Sequence, residues 1–196
     1  MTPHALPTVY LARHGETDWS KSGRHTGRTD IPLTPQGEAD AAKIGARLAG
    51  IAFAHVFSSP LQRARRTAEL AGFAPTPEPD LLEWDYGHCE GLRTAEIREK
   101  RPGWDLFRDG APGGESVADI AARVDGLARR LKALSGNVLA FAHGHVLRVL
   151  AARWVGQPVP FGRALLLSTA TVSVLGFDHH AMDEPAIKLW NDDRHL

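Results

Sequence analysis

Two histidine–glycine pairs are the first candidates for chemistry, because each directly follows a short apolar run. The first pair is His14-Gly15, preceded by Arg13, and the second is His143-Gly144. A neutral imidazole is a competent nucleophile near pH 7. Glycine after each histidine lets the backbone turn sharply and lets a ligand approach closely. A single pair of this kind is typical of a polar strand end, but two of them in one chain favour a site.

A second cationic position precedes a predicted helix. Ser59-Pro60-Leu61-Gln62 has the form of a capping box and predicts a helix from Ser59 to about Ala71. The N-terminus of a helix carries partial positive charge and free N–H groups, both of which suit a phosphate. Arg63 would lie in the first turn, where a cation opposes the helix dipole, and this indicates an anion nearby. Arg65 and Arg66 are expected on a solvated face.

The elements that must position these residues follow an alternating pattern. Four apolar runs predict strands at Thr8–Ala12, His55–Ser58, Val138–Ala142 and Thr171–Phe177. Further helices are expected from Thr34 to about Gly50, from Ser116 to a stop at Gly136, and from about Val146 to Val155. The pattern predicts a three-layer α/β/α fold with a mostly parallel sheet. Ligands bind beyond the carboxyl ends of such strands, so both His-Gly pairs are expected there.

Composition narrows the function classes. The length of 196 residues and the 43% of hydrophobic residues predict one domain over residues 1–196. The chain has 23 Lys+Arg and 23 Asp+Glu. Residues 84–115 are rich in Gly, Trp and charge, and we interpret them as a segment that caps one edge of the sheet. A formal charge of zero is atypical of nucleic-acid binders. With neither a signal peptide nor a membrane-length apolar run, the chain is predicted to be cytoplasmic, without membrane or nucleic-acid partners.

Metal binding is not expected. The pairs His143-x-His145 and His179-His180 have no well-spaced carboxylate or cysteine to complete a ligand set. We therefore predict no metal and no other cofactor. Cys89 is the only cysteine, which excludes an intramolecular disulfide, and it is interpreted as a small buried hydrophobic residue.

Five motifs in register resemble one family. They are Arg13-His14-Gly15-Glu16-Thr17, Ser58-Ser59-Pro60-Leu61-x-Arg63-Ala64, Glu83-x-x-x-Gly87, Gly114-Glu115-Ser116 and His143-Gly144. Together they resemble the histidine phosphatase superfamily, which has the phosphoglycerate-mutase-like fold. The resemblance implies that His14 is the nucleophile and forms a phosphohistidine. It further implies that Arg13, Arg63 and His143 bind the transferring phosphoryl group and that Glu83 is the general acid.

The general acid must carry a proton. Glu83 is flanked by Leu81, Leu82 and Trp84, and we expect this apolar environment to hold the carboxyl protonated. Asp85 is the competing acid, but its offset from Gly87 does not fit the family's motif.

The substrate class rests on a closer resemblance. Trp19 to Gly23, Thr26 to Pro35 and Glu83-Trp84-x-Tyr86-Gly87 are similar to the sedoheptulose-1,7-bisphosphatases and acid phosphatases of this superfamily. This implies a small phosphorylated metabolite, such as a sugar phosphate or bisphosphate. The candidate substrate-binding residues are Ser20, Lys21, Arg24, His25, Thr26, Gly27, Tyr86, Gly144, His145 and Arg148. Lys21 and Arg24 fit the description of solvated loop charges equally well.

Two alternatives and an assembly question stay open. A phosphoglycerate mutase is one alternative, but such mutases usually have Asn at the position of Ser20 and a different run after the acid. Hydrolysis is therefore favoured. A non-catalytic binding module is the other alternative, and the presence of Arg13, His14 and His143 argues against it. A homodimer is compatible with the sequence.

Overall fold

The computed structural model describes residues 6–196 and contains a six-stranded sheet. Its strands are β1 Thr8–Arg13, β2 His55–Ser58, β3 Thr76–Pro77, β4 Asn137–Ala142, β5 Val172–Phe177 and β6 Pro185–Asp192. They lie in the order β3-β2-β4-β1-β5-β6. The strands β3, β2, β4 and β1 run parallel to one another. In contrast, β5 runs antiparallel to β1, and β6 runs antiparallel to β5. The predicted mostly parallel sheet is confirmed.

Helices cover both faces of the sheet. They are α1 Asp18–Ser22, α2 Pro35–Arg47, α3 Gln62–Leu70, α4 Thr94–Lys100, α5 Leu106–Asp109, α6 Val117–Lys132 and α7 Gly144–Trp154, with 3₁₀ turns at Pro79–Leu81, Gly87–Cys89 and Val159–Ala164. Successive residues of β4 point to opposite faces. Phe141 packs in an apolar cluster with Ile44 of α2, while Ala140 packs with Val124 of α6 and Leu150 of α7. The three-layer α/β/α prediction is confirmed.

Of the three helix starts predicted from a capping residue, two are confirmed, and the helix expected from about Val146 begins at Gly144. The Thr34 hydroxyl accepts a hydrogen bond from Gly37 N at 3.0 Å and begins α2. The Ser116 hydroxyl accepts one from Asp119 N at 3.2 Å and begins α6. The predicted start at Ser59 is wrong. Helix α3 begins at Gln62, and its N-cap residue Leu61 makes no side-chain capping bond.

Two edge strands are absent from the sequence predictions. β3 has two exposed residues, one of them proline, which is too short for a periodicity signal. β6 is half-buried with little alternation, and its register with β5 shifts between Val172 and Leu175. Neither β3 nor β6 has one fully buried face, so neither shows the alternation of buried and exposed residues by which a strand is predicted.

The segment 84–115 packs against the helices α6 and α7. Trp84, Trp104 and Phe107 join the apolar cluster formed with α6 and α7. The Tyr86 hydroxyl is hydrogen-bonded to His145 at the start of α7. The segment therefore lies beyond the carboxyl end of β4, and its interpretation as a cap on a sheet edge stays a prediction.

A close backbone contact fixes the turn after β1. A Cβ on Gly37 would lie 2.1 Å from Glu16 O, and one on Gly15 would lie 2.3 Å from Gly37 O. Thr34 N donates to Glu16 O at 2.9 Å across the same contact. Two glycines thus let the first turn of α2 press against the loop that carries His14.

Alanine at Gly37 is expected to destabilise the protein, although alanine normally improves a helix interior. The added Cβ meets a backbone oxygen, so we expect a loss of about 1–3 kcal/mol in the free energy of unfolding. Gly126 in α6 is the matched control, because a Cβ there would meet only Arg130 Nη1, at 3.6 Å. Gly126→Ala should stabilise by about 0.5–1 kcal/mol. Urea unfolding measures both, and a Gly37→Ala variant as stable as the wild type would contradict the close contact.

Candidate active site

A cleft of about 250 Å³ opens beyond the carboxyl ends of β1 and β4. Its lining residues are Arg13, His14, Ser20, Gly23, Arg24, His25, Thr26, Glu83, Tyr86, Thr94, Gly144, His145, Arg148 and Leu167. His143 lies behind the wall, with 5.2 Å between its ring centroid and that of His14. The structure thus brings the two His-Gly pairs together, at the end of the sheet where the sequence places them.

His14 is held as a neutral imidazole of defined tautomer. Its Nδ1 lies 2.7 Å from Gly15 O, and because a carbonyl oxygen can only accept, Nδ1 carries the proton. The lone pair therefore resides on Nε2. Burial, together with the positive charges of Arg63 and Arg13, holds the pKa of His14 well below its ordinary value. The result is an unprotonated nitrogen beside guanidinium groups.

His143 is fixed through both ring nitrogens. Arg63 Nε donates to His143 Nδ1 at 3.0 Å, so the proton of this neutral ring lies on Nε2. His143 Nε2–H donates in turn to the Ser59 hydroxyl at 2.7 Å. Sequence reasoning missed this role of Ser59, because a serine followed three positions later by glutamine has the form of a helix cap.

Arg63 is fully buried and organises the loop at residues 26–29. Its Nη1 donates to Thr29 O at 2.9 Å, and its Nη2 donates to Thr26 O and Gly27 O at 3.0 and 2.9 Å. With the bond from Nε to His143, these contacts occupy all but one Nη1–H of the fork. Arg63 therefore lies behind the cleft, where it adds positive potential and offers one donor at most.

Arg13 presents its charge to the cleft directly. Its Nη1 donates to Leu167 O, while its Nε is buried and has no partner within residues 6–196. The guanidinium lies against Gly144, where a Cβ would come within 3.3 Å of Arg13 Cζ. A guanidinium that lines the cleft beside a neutral nucleophile fits an anionic oxygen.

Glu83 binds the N-terminus of α7. One carboxylate oxygen accepts from Trp84 N and Val146 N at 2.9 and 2.8 Å, and the other accepts from His145 N at 2.9 Å. Two of these donors belong to the first turn of α7, and the third belongs to Trp84, the next residue in the chain. The Glu83 carboxyl thus has polar backbone partners that its sequence neighbours do not predict, and its acid role stays a prediction.

The competing carboxyl lies elsewhere. The Asp85 carboxylate accepts from Gly87 N at 3.0 Å and lies 3.6 Å from Arg28 Nε. Asp85 is not among the residues that line the cleft.

Eight of the ten predicted substrate-binding residues line the cleft, and two do not. Lys21 is exposed and forms an ion pair with Glu16 at 3.6 Å. Gly27 points its N–H at the Glu90 carboxylate, at 2.9 Å from Oε1. Gly23, Thr94 and Leu167 line the cleft although sequence reasoning did not select them, and their residue types carry no signal for binding.

The part of the cleft lined by Arg24, His25, His145 and Arg148 is called the outer cleft below. Its positive charge comes from arginine rather than histidine. Burial lowers the pKa of His25 to about 4 and holds that of His145 well below its usual range. Arg148 lies over the Phe107 ring at 4.6 Å, and its Nε donates to Gly162 O at 3.0 Å. Arg24 is exposed and donates to Gly91 O at 2.6 Å. Arg24 and Arg148 are the cations here at neutral pH.

The remaining candidates lie away from the cleft. Cys89 is 4% exposed, which confirms the prediction of a buried residue. His179 is exposed and bonded to the Glu184 carboxylate at 2.7 Å. Within residues 6–196, no three His, Cys, Asp or Glu side chains form a group that could hold a metal ion. None of the helices in that range combines the length and apolar character needed to cross a bilayer.

Comparison with known proteins identifies the family. A family model described as histidine phosphatase superfamily (branch 1) matches residues 9–193. The chain belongs to this superfamily. It is 42% identical over 176 residues to an acid phosphatase from Mycobacterium tuberculosis, with 87% of each chain covered. It is 31% identical to a sedoheptulose 1,7-bisphosphatase from Saccharomyces cerevisiae, covering 95% of this chain and 93% of the relative.

A solved structure supports the same assignment. The product of an open reading frame of Mycobacterium tuberculosis superimposes with a TM-score of 0.89 and 38% identity, covering 94% of this chain and 96% of that one. The chain is therefore an enzyme that hydrolyses phosphate monoesters.

Neutral burial of His14 should make stability depend on pH. Below pH 6.5 the unfolded chain binds a proton at this residue that the folded protein excludes. The free energy of unfolding is therefore expected to decrease as the pH is lowered, by up to about 1.4 kcal/mol per pH unit for each such histidine. His14→Asn, which keeps an N–H for Gly15 O, should make the decline between pH 6.5 and 5 shallower in urea unfolding. His180→Asn at an exposed site is the control, and equal slopes for all three proteins would refute neutral burial.

Proposed function

We propose that this histidine phosphatase hydrolyses small phosphorylated metabolites, in particular sugar phosphates or bisphosphates, through a phosphohistidine on His14. One observation carries the proposal: an unprotonated Nε2 faces a cleft beside the partly unpaired Arg13 guanidinium. Positive groups around the equatorial oxygens and correct placement are the main requirements of phosphoryl transfer.

In the first step, His14 Nε2 attacks phosphorus and the bond to the ester oxygen breaks. The bond's electron pair leaves on that oxygen, which takes a proton from Glu83 and departs as the alcohol. The ring becomes positively charged, and its Nδ1–H keeps the bond to Gly15 O. In the second step, water attacks phosphorus and gives its proton to Glu83, while the electron pair of the P–N bond returns to Nε2.

The proton on Glu83 enters with the substrate. A phosphate ester has its second pKa near about 6, so its monoanion supplies the proton at mildly acidic pH. Binding and protonation of the acid are thus coupled.

The size and charge of the outer cleft support the substrate class. About 250 Å³ suits a small ligand, and its wall carries hydroxyl, imidazole and guanidinium groups. Arg24 and Arg148 line the same cleft as His14, and we expect them to bind a second anionic group of a bisphosphate. The acid phosphatase and bisphosphatase names of two relatives agree with this class.

A phosphorylated intermediate on His14 is the first expected outcome. Rapid quench with a ³²P-labelled sugar phosphate should trap a base-stable, acid-labile phosphoprotein that His14→Asn does not form. A binding module would give no such species. With 3-phosphoglycerate as substrate, release of glycerate and phosphate would support hydrolysis, whereas 2-phosphoglycerate as product would identify a mutase and overturn the proposal.

Glu83→Gln should lower the rate in a way that depends on the leaving group. For an alkyl phosphate, kcat/KM should fall by roughly 10²–10⁴, because the departing alkoxide loses its proton donor. For p-nitrophenyl phosphate the loss should be much smaller, since p-nitrophenolate leaves unprotonated. Asp85→Asn is the matched control and should show no such difference. Equal losses on both esters in Glu83→Gln would remove Glu83 from the acid role.

A further inference from the structure

The Gly114-Glu115-Ser116 motif contributes a side chain that does not line the cleft. The Glu115 carboxylate instead forms a two-point ion pair with Arg123 of α6. Arg123 Nε lies 2.7 Å from Oε1, and Arg123 Nη2 lies 2.8 Å from Oε2. Both side chains are largely buried, at 13% and 15% exposure. A buried pair of this geometry is costly to desolvate, so its remaining contacts matter.

The rest of the Arg123 fork binds the backbone that carries Glu83. Arg123 Nη1 donates to Asp80 O and to Leu82 O, both at 2.8 Å. Arg123 Nη2 lies 3.4 Å from Glu83 O, a longer contact. One guanidinium therefore spans the carbonyl oxygens on the N-terminal side of the acid.

Glu115 holds the C-terminal side of the same segment. Its Oε2 accepts from Asp85 N at 2.9 Å, its N–H donates to Asp85 O at 3.0 Å, and its carbonyl accepts from Trp84 Nε1 at 2.9 Å. The segment is thereby fixed on both sides of Glu83, while the tip of the Glu83 carboxylate is bound by α7.

We propose that the Arg123–Glu115 pair is a positioning device for the general acid. The proposal rests on the acid role of Glu83 in the proposed function. Proton donation needs the carboxyl within hydrogen-bond reach of the leaving oxygen, and a displacement of about 1 Å can cost about 100-fold in rate. Arginine suits this role because its planar fork supplies the four N–H bonds of a two-point carboxylate pair and two carbonyls, whereas an ammonium group has three donors.

Arg130 provides a matched control on the same helix. It lies two turns further along α6 and pairs with Asp80 at 2.7 Å and Glu78 at 3.2 Å. Its side chain is 51% exposed, and its two partners are side chains rather than backbone carbonyls of the acid segment. Exposed pairs of this kind contribute little. Arg130→Lys therefore tests the same charge-conserving substitution on the same helix without removing a contact to the backbone of the acid segment.

The experiment compares kcat/KM for an alkyl phosphate and for p-nitrophenyl phosphate in Arg123→Lys and Arg130→Lys. This ratio reports the steps up to release of the alcohol, where the acid acts. We expect Arg123→Lys to lose roughly 10-fold or more on the alkyl ester and less than about 3-fold on p-nitrophenyl phosphate. Arg130→Lys should leave both values nearly unchanged. Equal losses on the two esters in Arg123→Lys would show general disruption and overturn the proposal.

A second variant and a double variant complete the test. Glu115→Gln keeps the side-chain shape and loses the charge, so it repeats the comparison if Arg123→Lys fails to fold. In the Glu83→Gln background, Arg123→Lys should cost little more on the alkyl ester, because the group it positions is gone. Additive losses would refute the positioning role while leaving Glu83 as the acid. A Glu83→Gln variant without leaving-group dependence would instead overturn the proposed function and, with it, this role.

Discussion

The hydrogen bond from His14 Nδ1 to Gly15 O is the interaction on which the rest of the site depends. It assigns the proton to one nitrogen and leaves the other free, in a ring that burial and the nearby guanidinium groups keep neutral by lowering its pKa. Without that carbonyl acceptor, either nitrogen could carry the proton. The carbonyl is in place because the backbone of Gly15 lies directly on that of Gly37. The chemistry of one imidazole thus depends on a backbone contact between β1's turn and α2.

The two guanidinium groups of the site have different tasks in the free protein. Arg63 donates all but one of its N–H groups to carbonyl oxygens and to His143, and it holds the loop at residues 26–29 beside the cleft. Arg13 keeps an unpaired N–H and faces the ligand space. Both lower the pKa of His14, so each contributes to a neutral nucleophile whether or not it touches a substrate.

The sequence predicts the parts of the site that depend on strand ends and fails where long-range partners decide. His-Gly after an apolar run locates both histidines, because strand ends share one edge of a parallel sheet. Ser59 was misassigned because a helix cap and a partner for His143 require the same hydroxyl. Two of the donors to Glu83 could not be predicted because they come from α7, some sixty residues away in sequence. Its role as acid, and the single domain, stay predictions.

Glu83 does for α7 what an N-cap side chain does for other helices. His143, at the N-cap position, makes no side-chain capping bond, and the Glu83 carboxylate accepts the N–H groups of His145 and Val146 instead. If this carboxyl takes up a proton in each turnover, it loses acceptor strength at the moment it becomes reactive. The helix would then be anchored least firmly in the state that does chemistry. Substitutions at this position would therefore trade conformational stability against catalytic power within a single functional group.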